Sequence, residues 1–294
     1  MRFRDAILAA LTSVIWGLAF VATKLGLEAF SAAELTALRF LIGCLPTLLV
    51  PRPRIAWPLL VAIGMTLFCG QFLLLFFAFK AGMPAGLASV TQQTQAFFTV
   101  LLAAAFLREV PSLRQCCGMT VAFAGLGLIG LTVGGGLTKL ALGLALAGAF
   151  SWAIGNVLVK RTAEVPVLSL VVWASLVPPL PALLFSAVYD RHLPIIGALA
   201  GASWPSLGSA LYLGTIATFV AYAIWGDLLQ RYPAALVTPF ALLAPCTGVL
   251  SSTLAFGEVF EPVRYVGMAF VLAGLAITIF PGGPRMPDLR RAAP

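Results

Sequence analysis

Residues 84–110 read PAGLASVTQQTQAFFTVLLAAAFLREV, and residues 233–259 read PAALVTPFALLAPCTGVLSSTLAFGEV. Pro84-Ala85-Gly86-Leu87 meets Pro233-Ala234-Ala235-Leu236 at an offset of 149, and Glu109-Val110 meets Glu258-Val259 at the same offset. The register continues downstream. Gly118-Met119 meets Gly267-Met268, and Ala124-Gly125-Leu126 meets Ala273-Gly274-Leu275. Upstream, Trp16 and Lys24 meet Trp152 and Lys160 at an offset of 136. The 13-residue difference falls in the longer loop around Asp190 to Ser203. A common offset held over some 40 residues is hard to obtain by chance, so the chain is one unit written twice.

The composition says what kind of unit. Of 294 residues, 61% are apolar and 10% are charged, with a mean hydropathy of +1.04. A soluble domain carries roughly 25% charged residues, which excludes a cytosolic enzyme or a nucleic-acid-binding protein. Disorder needs the opposite composition, and a β-barrel alternates apolar with polar where these runs are apolar throughout. The fold class is an all-α polytopic membrane protein. A spanning helix needs about 20 apolar residues, and ten runs fit: 5–25, 33–50, 57–80, 84–107, 112–132, 140–160, 167–188, 204–228, 233–256 and 261–280. The first has no Ala-x-Ala cleavage signal and reads as an uncleaved helix. Each repeat holds five spans. Five is odd, so the halves enter the membrane from opposite sides, giving two inverted five-helix repeats around a central cavity. The expected boundaries are 1–137, 138–281 and a cytoplasmic tail, 282–294. With the N-terminus inside, twelve Lys and Arg fall in inner segments and five (Lys24, Lys80, Lys139, Arg191, Arg264) in outer ones. The positive-inside rule then puts both termini in the cytoplasm.

The repeated stretches resemble the EamA family of the drug/metabolite transporter superfamily. The residues that carry the resemblance are Trp16-Gly17 with Lys24, Leu38-Arg39-Phe40, Gly82 to Ser89, Gln95 to Thr99, Ala149 to Asn156, and Ile224-Trp225-Gly226. They cover the chain from about residue 5 to 280 as two copies. Within the family they are most similar to the bacterial cysteine and O-acetylserine exporters, and more distantly to aromatic amino-acid exporters. The resemblance implies a ten-helix inner-membrane exporter of amino acids and related metabolites. Helices 1, 3, 4, 6, 8 and 9 would line the cavity, with 5 and 10 at the periphery.

Polar side chains in hydrocarbon must face protein or water, and this picks out candidate substrate contacts. In the first span, Trp16, Phe20 and Lys24 share one helical face. In the third, Phe68 and Gln71 share a face with Phe72 and Leu75. In the fourth, Ser89, Gln92, Gln93 and Gln95 stand among six polar residues in seven, which cannot all face lipid. Trp152 and Asn156 pair in the sixth span. Thr218, Tyr222 and Trp225 form a row in the eighth. Amides and hydroxyls would hold a zwitterion while aromatics contact its side chain. The plainer alternative is hydrogen bonding between helices, worth about 0.6 kcal/mol each. Arg39 has two readings. It could take a substrate carboxylate bidentately, or it could snorkel outward or bond backbone carbonyls.

The few charges are telling. No Asp or Glu lies mid-span, which argues against a carboxylate proton relay and for a facilitator, without closing the question of coupling. Inverted symmetry supplies a Lys–Glu pair per face, Lys24 with Glu258 outside and Lys160 with Glu109 inside. These are expected to be gate latches, with exposed helix-end ion pairs as the alternative. A charge swap of Lys24 and Glu258 is expected to restore function. Small residues should let helices approach closely: Gly118, Ala122 and Gly125 in the fifth span, and Gly143 with Ala147 in the sixth. Prolines 178, 179 and 181 should kink the seventh span, and Pro239 and Pro245 the ninth. The five cysteines lie in apolar runs and the one histidine is His192, so no metal, disulfide or cofactor is expected. Expected partners are the bilayer and a small-molecule substrate, an amino acid or derivative. No nucleic acid is expected, and the protein is expected to be a monomer or weak homodimer. The alternatives are a proton-coupled exporter of drugs or other metabolites, and a membrane-embedded enzyme. For an enzyme, no nucleophile–base or metal cluster stands in the sequence.

Overall fold

The computed structural model describes residues 1–133, 137–162, 165–189, 195–232 and 234–279. The expected tail 282–294, His192 and Pro233 lie outside the described residues. Every regular element described is helical. The principal helices are α1 (Phe3–Gly26), α2 (Ala32–Gly43), α3 (Trp57–Lys80), α4 (Ala85–Leu107), α5 (Leu113–Leu131), α6 (Lys139–Thr162), α7 (Val167–Tyr189), α8 (Trp204–Arg231), α9 (Thr238–Phe256, entered through Ala234–Val237) and α10 (Pro262–Ile279), and a short helix, Ile195–Gly201, precedes α8. All the principal helices except α2 are long and apolar enough to cross a bilayer. Large apolar side chains such as Phe106, Leu131, Leu180 and Leu254 are exposed along them. Water would not tolerate that surface on a monomer, and lipid covers it.

The second span departs from expectation. Its α-helix stops at Gly43 rather than continuing to residue 50, and Leu45–Leu48 form a tighter 3-10 turn. Pro46 is the cause, because it lacks an N–H and disfavours α geometry in the residue before it. The helix itself is well begun. Ser31 and Glu34 form a reciprocal capping box, and Ala32 to Phe40 are all buried.

The repeat extends to the irregularities. In α4 the α-helix is interrupted at Gln92-Gln93 and resumes at Thr94–Leu107. In α9 a 3-10 segment covers Thr238–Leu242, and the α-helix resumes at Leu243–Phe256. The resumed segments coincide at the 149 offset. Both end on a left-handed residue at matching positions, Arg108 (φ 55) and Gly257 (φ 63). Glycine suits that C-cap and arginine fills it at some strain. α3 and α8 each contain a wide π turn, Gly64–Gly70 and Thr215–Val220, again at nearly matching positions. The expected kink in α7 is a full break between Ala174 and Pro179. Of the two prolines in α9, Pro239 opens the 3-10 segment, while Pro245 sits in the first turn of the resumed helix, where it is tolerated.

Glycines set a close helix crossing between α5 and α10. A Cβ on Gly118 would lie 2.6 Å from Gly274 O, and one on Gly125 would lie 2.5 Å from Gly267 O. These two contacts exchange under the 149 offset, as a pseudo-twofold axis between the helices requires. Arginines reinforce the pair at its two ends. Arg114 donates to Ile277 O (3.0 Å), and Arg264 donates to Thr132 O and Oγ1 (both 2.8 Å). Each caps the carbonyl end of the other helix, where positive charge is favoured. The expected small face of α6 is corrected. Gly143 and Ala147 are exposed, and no described residue lies within 4 Å of a Cβ at Gly143. The close approach is made instead by Gly148 against α3 at Gln71 O and by Gly155 against Leu67. The buried stripe of α6 runs through Ala141, Ala145, Gly148 and Ala149, one turn-phase away.

Candidate functional site

A cavity of about 280 Å³ lies between helices of both repeats. α1 gives it Trp16, Ala19, Phe20 and Thr23; α2 gives Arg39; and α3 gives Gln71, Phe72 and Leu75. Gln92, Gln93 and Gln95 enter from the break in α4, Trp152 from α6, Tyr222 and Trp225 from α8, and Ala241 and Ala244 from α9. Nine of the residues singled out as substrate contacts are thus brought together: Trp16, Phe20, Gln71, Gln92, Gln93, Gln95, Trp152, Tyr222 and Trp225. The irregular helices explain how. An interruption at Gln92-Gln93 turns three glutamines toward one space. A π turn frees a carbonyl. The Ala221 N–H bonds Ile216 O, five residues back, and Ala217 O accepts the Trp16 indole N–H at 3.1 Å. Trp16 is thereby fixed against Tyr222 and Trp225, with ring centroids 5.3 and 5.2 Å away. On the other side, Ser151 of α6 donates to Thr66 O in the π turn of α3 (2.8 Å).

Four of the singled-out residues do not wall the cavity. Phe68 is buried against Phe40, with centroids 5.1 Å apart. Thr218 is buried and receives the Arg39 Nε–H at 3.2 Å. Both stand in π turns. The extra residue there rotates one part of the helix by about 100° relative to the next, so a row drawn at 3.6 residues per turn breaks. Ser89 belongs to a helix crossing, where its hydroxyl is 2.7 Å from Gly86 O and 3.2 Å from Pro245 O. Asn156 stands behind the wall and donates to Gln95 Oε1 (2.7 Å) and Thr99 Oγ1 (3.1 Å), fixing the Gln95 amide. Arg39 is 4% exposed, so it does not snorkel to the surface.

The two faces of the bundle differ. On one, Glu258 receives Lys24 Nζ at 2.8 Å and also the N–H groups of Ala85 and Gly86, both at 3.0 Å, at the start of α4. Its side chain is 9% exposed. Burial pushes the Glu258 carboxyl up, but the Lys24 hydrogen bond, the two N–H groups and the Lys24 charge together hold it below its ordinary 4.5. Beneath this knot the helices touch. A Cβ on Gly17 would meet Ala244 O at 2.6 Å, and one on Gly86 would meet Ser252 Oγ at 2.5 Å. Gly248 is packed against Ser89. On the other face, Lys160 and Glu109 also pair, at 2.7 Å, but Glu109 is 53% exposed. Thr99, Val100 and Ala103, the mates of Gly248, Val249 and Ser252, line an open cleft beside this pair. One face is packed shut, and the other, built from the same motif, is parted.

The sequence profile of the EamA-like transporter family matches residues 4–131 and again 139–280. The chain belongs to the EamA-like transporter family. It is 40% identical to the probable amino-acid metabolite efflux pump of Salmonella typhimurium, over 95% of this chain and 96% of that one. It is 28% identical to the probable terminal-alkyne amino-acid exporter of Streptantibioticus cattleyicolor, over 94% of each. A solved crystal structure has the same fold, with a TM-score of 0.66 at 20% identity over 95% of this chain and 99% of that one. This EamA-like transporter is a multi-pass membrane protein and a transporter rather than an enzyme.

Some features of this EamA-like transporter were missed in the sequence. Thr23 extends the Trp16–Phe20 face by three residues and could have been found by spacing. Ala241 and Ala244 carry no chemical signal. A polar knot at the α1 start, with Asp5 accepting from Arg231 (3.2 Å) and Tyr232 (2.6 Å), joins residues more than 220 apart. Nothing local announces it.

Proposed function

We infer that the protein exports amino acids and related small metabolites from the bacterial cytoplasm by alternating access across the inner membrane. The observation that carries this reading is the central cavity. It is walled by both repeats, with helices packed together on the Lys24–Glu258 face and a separate cleft on the Lys160–Glu109 face. The names of the two relatives support amino acids as cargo, and the amide and aromatic walls suit a small zwitterion. With the termini in the cytoplasm, as the Lys and Arg balance supports, the parted face is cytoplasmic and the conformation is ready to load cargo for export. Both Lys–Glu pairs are formed in this conformation; the buried Lys24–Glu258 pair acts as the latch that must break for its face to open, and the repeats 1–137 and 138–281 exchange roles as it does. A single chain walls the cavity, so a monomer suffices. Without a mid-span carboxylate, cargo moves down its own gradient.

The test is counterflow in proteoliposomes with a panel of labelled amino acids, with and without a pH gradient. The expected result is gradient-independent uptake of at least one small amino acid. Uptake of none would end the amino-acid reading. Uptake only with the gradient would overturn the facilitator.

A further inference from the structure

Arg39 is the one charged side chain among the described residues that wall the cavity. Burying a guanidinium is costly unless it is paired. No carboxylate lies within ion-pair distance of it among the described residues. Its Nε donates to Thr218 Oγ1, and its planar head lies 3.9 Å from the centroid of the Phe72 ring. That leaves the two Nη groups, the prongs of the fork that suits a carboxylate bidentately, with no acceptor among the described residues. The stack on Phe72 and the bond to Thr218 hold the fork in one orientation. A second orphan shares the cavity. Gln92 is 1% exposed. Its Nε2 donates to Ala145 O at 3.1 Å, which fixes the amide, and its Oε1 is a buried acceptor with no donor among the described residues. Flipping the amide would only lose the bond to Ala145. The repeat mate of Arg39 is Ser175, so the cation is not duplicated.

We propose that Arg39 seats the carboxylate of the transported molecule and that Gln92 Oε1 receives its ammonium group, so that the cavity selects α-amino carboxylates. This rests on the central cavity being the transport site. The Trp16, Tyr222 and Trp225 rings are left for the side chain. Amines and amides lacking the carboxylate leave the buried guanidinium unpaired and are rejected. The site is oriented, because only one repeat supplies the cation.

The test uses the full-length protein in proteoliposomes and, for an amino acid that the wild type carries, three analogues: its primary amide, its decarboxylated amine and its deaminated acid. In wild type, the amide and amine should compete at least 100-fold more weakly than the amino acid. Arg39→Gln should raise KM about 100-fold, and Arg39→Lys, which keeps the charge but not the fork, about 10-fold. Neither should change the weak competition by the amine. Gln92→Met should weaken the amino acid about 10-fold and leave the deaminated acid unchanged. Retention of a single gel-filtration peak separates these effects from misfolding, with Arg39→Lys as the gentler variant. Equal competition by amide, amine and amino acid would overturn the assignment while leaving amino-acid transport intact. So would an unchanged KM in folded Arg39→Gln. A wild type that carries no amino acid would remove both this assignment and the reading beneath it.

Discussion

Glu258→Ala should open the closed face and cut transport by two orders of magnitude or more. The carboxylate is 9% exposed and takes three donors, Lys24 Nζ and the N–H groups of Ala85 and Gly86. Removing it strands a partly buried ammonium and two helix-start N–H groups. Lys24 is 38% exposed, so its share of the cost falls below the about 3–5 kcal/mol of a fully buried pair, but each stranded N–H group adds about 1–3 kcal/mol, and about 1.4 kcal/mol is tenfold in an equilibrium. Glu109→Ala removes an exposed pair worth about 0–1 kcal/mol. Melting curves should therefore be asymmetric, with a large fall in Tm for Glu258→Ala and little for Glu109→Ala, while transport falls in both. Equal Tm losses would contradict the difference between the faces.

The N–H bonds also revise the charge-swap expectation. A lysine at position 258 cannot accept from Ala85 and Gly86, and it would set a cation at the positive start of α4. The double variant Lys24→Glu with Glu258→Lys should stay inactive, whereas Lys24→Arg should remain active. Acid acts in the same sense. A carboxyl whose folded value is lowered contributes its full stability above its ordinary 4.5 and loses it as pH falls through the lowered value. The latch should thus hold at pH 7 and release only below the ordinary carboxylate range, read as labelling of a cysteine placed under it.

Gly274→Leu should abolish the folded protein. A Cβ on Gly274 would enter the backbone of Gly118 and the Ala122 side chain. The obstacle is another helix's backbone, which cannot step aside as a flexible side chain can. Overpacking costs about 1–3 kcal/mol where side chains adjust, and more where they cannot. Gly127→Leu and Gly130→Leu on α5 meet nothing within 4 Å and should leave the yield of monodisperse protein near wild type. A normal yield of Gly274→Leu would show that the crossing does not hold the repeats together.

The frame of this fold is legible in the sequence because it is written in hydrocarbon and in one offset. Span positions, the inverted repeat and both Lys–Glu partners follow from counting residues. Nine of thirteen substrate-contact candidates wall the cavity because amides and indoles inside apolar runs have few other places to go. What spacing alone misreads has physical causes. The π turns shift Phe68 and Thr218 off their projected faces. Pro46 ends α2 early. Gly143 looked like a contact residue, but the phase of the α6 stripe is set by Ala141 and Ala145. Which face is shut is not legible at all, since both faces carry the same motif and closure is a small difference between similar packings.

The exchange of those packings is the claim on which the mechanism stands. Thr99 and Thr238 are the repeat mates of Gly248 and Ser89, whose helices touch on the closed face. Closing the parted face in the same way should bring them together. In a chain stripped of its five cysteines, Thr99→Cys and Thr238→Cys should form a disulfide under oxidation during turnover. That bond should stop transport until it is reduced and should leave the Lys24–Glu258 face open to labelling reagents. Undiminished transport with no cross-link under any oxidising condition would show that the parted face never closes as its mate does, and would contradict alternating access by exchange of the two repeats.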